Sequence, residues 1–334
     1  MQTLLKWLII SITAVIIASS ALWADLAFWY RLPVNDTIRL AICSLFGIYA
    51  TATLILLFTK WRLPSIGIYS LTFMLVLAWW VTIHPSKNAD WSPDVSRQVT
   101  GSISENILTL KNVRDFQWRS DDEFTEQWVT RSYDLNKLRT TDLFLSYWAG
   151  PEMAHVIMSF GFDDGKYIAW SIEVRRKRGG DFSPIADLFK SSPLVIVAAE
   201  ERDVVGVRTN VRGEDVQLYR MRTSPKDARK MLMGYVQRAN ALSEKPAFYN
   251  SLTTNCTTAI VQIARAVGSK IPFDWRLLVN GYLPEYIYEN GAVNDTYSLD
   301  ELRTLSHISQ KAIAAGLTDQ YSTIIRADVP PAGN

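Results

Sequence analysis

The sequence predicts an α+β domain, an antiparallel sheet with helices packed on it, carried behind three membrane-spanning helices. Three observations predict this. Apolar residues make up 48% of the 334, an ordinary average, but the excess is concentrated in the first 85 residues, in three stretches close to the ~20 residues that cross a bilayer. From residue 112 to about 220 the chain alternates short runs of β-branched and aromatic residues with turn residues, the pattern of strands. From Pro225 onward apolar positions recur at helical spacing.

The apolar stretches run from Trp7 to Trp23, Ile38 to Phe58 and Leu63 to Ile83, making residues 1–84 a membrane region. Lys6 precedes the first, and Lys60-Trp61-Arg62 joins the second to the third, while the first connection carries the mixed set Asp25, Arg31 and Asp36. Positive charge stays in the cytoplasm, so an odd number of spans leaves the remainder outside. The expectation is a multi-pass membrane protein with a periplasmic or otherwise extracytoplasmic C-terminal domain. The first stretch also has the short positive start and small residues (Ser19, Ser20, Ala21) of a cleaved signal peptide, and cleavage leaves the soluble domain on the same side. Trp23, Trp29, Tyr30, Trp61, Trp79 and Trp80 lie at the span ends, where aromatic belts form. The net charge of +2 and the lack of a Lys/Arg block exclude a nucleic-acid arm. The densest basic run, Arg175-Arg176-Lys177-Arg178, reads as a solvated hairpin end, with lipid headgroups as the second reading.

Residues 85–111, with Pro85, Pro93 and Gly101, read as a polar linker, residues 112–327 as the soluble domain, and 328–334 as a disordered Pro/Gly tail. Strands are expected at 116–118, 128–133 and 141–148. A hairpin follows, 154–162 with 166–175, closed by Asp163-Asp164-Gly165, where glycine suits the left-handed position of a three-residue loop. If Phe162 pairs with Lys166, His155 lies opposite Glu173; a two-residue loop instead pairs His155 with Val174 and turns Glu173 to the other face. A short amphipathic piece at 185–189 and strands at 194–199, 203–208 and 216–219 extend an antiparallel meander. Pro225 opens a helix to about Leu242; a second runs from the Cys256 region to Gly268. Ser298-Leu299-Asp300-Glu301 is a capping box for a late helix containing His307.

Chemistry centres on Thr253-Thr254-Asn255-Cys256-Thr257-Thr258. The apolar positions Ala259, Ile260, Ile263, Ala264 and Val267 place Cys256 in the first turn of an amphipathic helix capped by Thr253, Thr254 or Asn255. Unsatisfied N–H groups and the helix dipole there favour the nucleophilic thiolate; Thr254, Asn255 and Thr257 are the candidates for cap and oxyanion contacts. A small buried core residue is the alternative reading of Cys256. The only other cysteine, Cys43, lies in a span, so Cys256 has no disulfide partner in its own chain. Of three histidines, His84 is at the membrane surface and His307 in the late helix, which leaves His155 as the base, with Glu173 to orient it. Asp142, Trp148 and His307 are additional candidates, with structural roles as their ordinary reading. No metal-ligand spacing or phosphate-cradling glycine loop is present, so neither a metal nor a cofactor is expected.

The order strand histidine, strand carboxylate, helix cysteine resembles the circularly permuted papain-like group related to NlpC/P60, with Ala154-His155 and Asn255-Cys256 as the matching positions. A closer resemblance covers about residues 112–326. It rests on Asn112-Val113-Arg114-Asp115-Phe116, Asp142-Leu143-Phe144-Leu145-Ser146-Tyr147-Trp148, Ser159 to Gly165, Ser171-Ile172-Glu173, Arg208-Thr209-Asn210 and Thr253 to Thr258. Together these resemble the family of the Lnb N-terminal periplasmic domain, of a lipoprotein N-acyltransferase. The resemblance implies a permuted papain-like fold and a cysteine acyl transfer tethered to a bacterial inner (cytoplasmic) membrane, with Cys256 at the acyl-carrying position, membrane lipids as acyl donor and a lipoprotein or peptide acceptor. There is one departure. In the acyltransferase the periplasmic domain comes first and the spans follow, whereas here three spans precede it, which leaves donor and acceptor open. A cell-wall peptidase or amidase using the same residues, and a non-catalytic anchored binding module, are the rival expectations.

Overall fold

A computed structural model gives the fold and describes residues 1–333. The chain divides into two compact units, the first made of Met1–Pro85 and Ser183–Ser191, the second of Ser86–Phe182 and the residues from Ser192 onward.

In the first unit, α1 (Gln2–Arg31), α2 (Asp36–Leu56) and α3 (Arg62–Thr82) are long and apolar enough to cross a membrane, with mean hydropathies of 2.0, 1.8 and 1.6. Most of their large side chains, Ile12, Leu45 and Leu71 among them, face outward. Inside the bundle the Tyr69 hydroxyl donates to Ile17 O at 3.1 Å and lies 2.8 Å from Ser20 Oγ, so a buried polar group is satisfied. The amphipathic piece expected at 185–189 is α4 (Pro184–Leu188), and it belongs with this unit. Just past it, Phe189 stacks on Tyr30 with ring centroids 5.7 Å apart, and Lys190 Nζ donates to Trp80 O at 2.8 Å.

The second unit is α+β. Its strands are β1 (Thr100–Ser104), β2 (Ile107–Arg114), β3 (Gln117–Trp118), β4 (Phe124–Thr125), β5 (Trp128–Asp134), β6 (Leu138–Tyr147), β7 (Ala154–Phe162), β8 (Tyr167–Val174), β9 (Leu194–Ala199) and β10 (Asp215–Met221). Seven form the order β1-β2-β9-β8-β7-β6-β10; β5 also pairs with β2, and β3 pairs with β4 in a separate ribbon. β6-β7-β8-β9 form an antiparallel meander, but the expected continuation from β9 into 216–219 fails: β10 pairs with β6, and β2 meets β9 in parallel.

Alternate residues face opposite sides of the sheet, and each side has its own core. Leu143, Leu145, Val156, Met158 and Phe160 pack against α6 (Pro225–Glu244) and α7 (Cys256–Ala266). On the other side Phe144, Ile157 and Val197 pack with Val204 of α5 (Glu201–Val204), Ala312 of α10 (Ser309–Ala315) and Tyr321 of α11 (Tyr321–Ile324), while α8 (Leu283–Glu289) and α9 (Leu299–Ser306) join the first core through Leu283, Ile287 and Leu302. Helix α6 buries Ala228, Met231, Leu232, Tyr235, Val236, Ala239 and Leu242, the face its spacing predicts.

Four expectations are corrected. Residues 85–111 are not a linker: they hold β1 and half of β2, with Val95, Val99, Leu108 and Leu110 buried. β1 looks irregular in sequence because its outer residues are polar and exposed. Residues 203–208, expected as a strand, form α5 and a π-helical turn, Val207–Val211. Their β-branched residues are buried all round, and Asp203 is tied to Arg114 at 2.9 Å, so tertiary contacts override strand propensity. His307 lies just past α9, as its C-cap, not within it. Of the tail read as disordered, residue 334 lies outside the described residues, while Val329 and Pro330 are buried.

Candidate active site

The site forms where the start of α7 meets the first residues of β7. Asn255 is the cap: its Oδ1 accepts from Thr257 N at 3.0 Å and Thr258 N at 2.8 Å, while Thr258 Oγ1 accepts from Asn255 N at 2.9 Å. That closes a capping box and sets Cys256 as the first helical residue, buried with 7% of its surface accessible. Thr254 serves only the preceding turn, exchanging backbone hydrogen bonds with Asn250. The cap also decides an electrostatic question. The Thr257 and Thr258 N–H groups are committed to Asn255, so the helix-start amides at 257 and 258 do not point at a reacting carbonyl.

His155 is placed by the β7–β8 hairpin. Phe162 N donates to Lys166 O at 2.9 Å and Gly165 adopts φ +77°, giving the three-residue loop. The register Ile157 opposite Ser171, continued two residues, puts His155 opposite Glu173. The imidazole Nε2 lies 2.7 Å from Ser171 Oγ and 3.2 Å from Glu173 Oε1, and Ser171 Oγ donates to that same carboxylate oxygen at 2.6 Å. Because the serine hydrogen goes to Glu173, Nε2 must be the donor to Ser171, which leaves Nδ1 for the sulfur. The His155 ring and the Val156 backbone N–H lie close enough to the Cys256 sulfur to favour its charged form.

These contacts set the protonation states. Burial is the largest influence on His155 and lowers its pKa, but the Glu173 charge and the hydrogen bonds to Cys256 and Glu173 outweigh it and raise the pKa to about 9. Burial pushes the Cys256 thiol up, yet the hydrogen bond and charge of His155 bring it below its ordinary value. Glu173 is likewise raised by burial and lowered more by His155 and Arg208, so it stays ionised. Both shifts run in the direction of a thiolate beside an imidazolium. Arg208, on the π-helical turn, backs the carboxylate: it lies 3.4 Å from Glu173 and 3.2 Å from Glu214, which also accepts from Ser146.

Asn280 completes the surroundings of the sulfur. Its Oδ1 accepts from Ala154 N at 2.8 Å; its Nδ2 donates to Thr257 Oγ1 at 2.8 Å and to Cys256 Sγ at 3.7 Å. The approach depends on Gly281, whose N–H donates to Glu152 O at 2.9 Å and where a Cβ would stand 2.0 Å from Pro151 O.

The additional candidates have partners elsewhere. Asp142 is fully buried with Arg326 at 2.8 Å and Arg220 at 3.4 Å; Trp148 is half exposed, edge-on to Phe182; His307 Nδ1 lies 2.7 Å from Asp215. In the basic run, Arg176 and Arg178 pair with Asp94 and Asp90. Ser171, Arg208 and Asn280 carry no assigned role in the sequence reading. Ser171 was readable, being two residues from Glu173 on one strand and hence on its face. Asn280 had no local signal.

Between the sheet, α6 and α7 lies a cavity of about 300 Å³. Val156 and Thr257, the residues directly after the histidine and the cysteine, both line it, and Met158, Met231, Ile260, Val261 and Ile287 make its walls apolar. Among the described residues no group of His, Cys, Asp or Glu is arranged to hold a metal ion.

Comparison with known proteins gives one match. Residues 124–281 match the family described as the Lnb N-terminal periplasmic domain, a span that includes His155, Glu173, Cys256 and Asn280. No curated protein and no solved structure matches the chain. That similarity over residues 124–281, with three apolar N-terminal helices, supports a membrane-anchored protein with a periplasmic domain.

Proposed function

We propose that the chain is a cysteine acyltransferase working through a thioester on Cys256, with a membrane lipid ester as acyl donor. The thiolate adds to the ester carbonyl, forming a C–S bond and moving the C=O π electrons onto oxygen. As that oxyanion collapses the C–O bond breaks, and the His155 imidazolium gives its proton to the departing alkoxide, releasing an alcohol. The now neutral imidazole takes a proton from an amine or hydroxyl acceptor as it displaces sulfur, which returns the ion pair. The family resemblance implies a lipoprotein amine as that acceptor. Glu173 and Ser171 hold the ring through Nε2 and stabilise its charge.

What supports this reading is the Cys256–His155 pair at the start of α7, together with an apolar cavity lined by Val156 and Thr257, the residues that follow the two in sequence. An aliphatic acyl chain suits that wall; a polar cell-wall peptide does not. To test it, the full chain in detergent is incubated with phospholipid bearing labelled acyl chains and the Cys256 peptide is weighed. An acyl adduct in the wild type, absent in Cys256→Ala and slowed by His155→Ala, is expected. Release of peptide fragments from cell-wall substrates without an adduct would make the chain a peptidase. Intact cellular function in both variants would make it a binding module.

A further inference from the structure

We infer that Asn280 is an oxyanion donor of this site, an assignment that rests on the acyl-transfer reading and adds a third catalytic side chain. A helix-terminal cysteine ordinarily stabilises the developing oxyanion with backbone N–H groups of its own turn. Here the N–H groups of Thr257 and Thr258 already donate to Asn255 Oδ1, which leaves the Cys256 N–H as the donor of that turn. The Asn280 amide supplies a second donor from outside the turn. Its orientation follows from its partners: the Ala154 N–H requires an acceptor, which makes the atom at 2.8 Å the carbonyl Oδ1 and turns the NH₂ toward the site. One N–H of that group is anchored on Thr257 Oγ1 at 2.8 Å, and the other points at the sulfur from 3.7 Å.

A donor held at that distance from the sulfur is also within reach of an oxygen bonded one carbon from it. When the thiolate adds to a carbonyl, the electron pair arriving on oxygen meets this N–H with no proton transferred and no reorganisation of the amide. Two further contacts keep the donor in place. Ala154, which anchors Oδ1, is the residue before His155, so one stretch of β7 positions both the base and the donor. Gly281 lets the turn lie against Pro151 and Glu152, where a Cβ would collide with the Pro151 carbonyl.

The test compares two reactions of one sulfur. Alkylation by iodoacetamide needs the thiolate and develops no oxyanion; acylation by a p-nitrophenyl ester needs both. Full-length chain in detergent, carrying Cys43→Ala so that Cys256 alone reacts, is assayed with each reagent. In Asn280→Ala the ratio of acylation to alkylation rates is expected to fall about 10²–10³-fold, the usual loss for one oxyanion donor. Asn280→Asp, which keeps the bond from Ala154 N and replaces the donor by an acceptor, is expected to lose at least as much. An unchanged ratio in both variants overturns the assignment, whether both rates fall together or neither falls. A wild-type chain that alkylates but does not acylate overturns the acyl-transfer reading itself, and with it any oxyanion.

Discussion

At the residue scale, reactivity is a matter of which side chain holds which proton. The reactive form has Cys256 ionised and His155 protonated, so acylation should fall at low pH as the thiolate is protonated and at high pH as the imidazolium loses its proton. With His155 raised to about 9 by Glu173 and Cys256, against burial, the alkaline limb is expected near pH 9. Glu173→Gln removes the charge that favours the imidazolium, and the limb should move to lower pH in a profile of kcat/KM; a limb that does not move removes Glu173 from the triad. The same shift acts on stability. A ring whose pKa rises from 6.5 to about 9 on folding contributes in full below pH 6.5 and loses that contribution as pH rises through 9. The urea midpoint should therefore drop between pH 7 and 10, and drop less steeply in His155→Ala.

At the element scale, α7 and the turn at Asn280 decide whether those residues meet. The Asn255 cap satisfies two amides at once, and Asn255→Ala is expected to cost about 1 kcal/mol in chemical denaturation. Gly281→Ala places a methyl where the Pro151 carbonyl stands, and a loss of about 1–3 kcal/mol is expected as the turn is pushed off β7; a neutral effect would mean the turn tolerates displacement. The cavity between α7, α6 and the sheet bears on donor choice. Each methylene buried in an apolar wall is worth about 0.8 kcal/mol, so closing the cavity with Val261→Trp should lower the ratio of long-chain to acetyl adduct on Cys256 by at least about tenfold. Mass spectrometry of the Cys256 peptide with donors of different chain length reads that ratio.

For the whole molecule, the sequence implies that three spans with Lys6 and Lys60-Trp61-Arg62 on the inner side carry the second unit to the outer side. In a chain lacking both native cysteines, a membrane-impermeant maleimide should label Ser120→Cys in intact spheroplasts and Thr59→Cys only after lysis; the reverse pattern would invert the topology. Both positions are exposed, so access rather than burial is measured.

Much of this chain could be read from its sequence, for one physical reason: local periodicity reports which face is buried. The three spans, the buried face of α6, the hairpin at Gly165 and the cap at Asn255 all follow from residues within a few positions of one another. His155 and Glu173 come together by counting along one hairpin, because antiparallel register has a period of two. Contacts that depend on distant segments were not legible. β1 is an edge strand with a polar outer face, which looks like a linker until its neighbours are known. The buried 203–208 run has strand-forming residues, but they are wrapped into helical turns by contacts made far along the chain. Asn280 lies 24 residues after Cys256 in an irregular segment, and contacts with Ala154 and, through Gly281, with Pro151 bring it to the sulfur. Sequence alone determined the apolar helices, the helix start at Cys256 and the hairpin that sets His155 opposite Glu173, because each is written in a local pattern. Tertiary structure alone decided what else surrounds the Cys256 sulfur, because hydrogen bonds between remote segments leave no periodic trace.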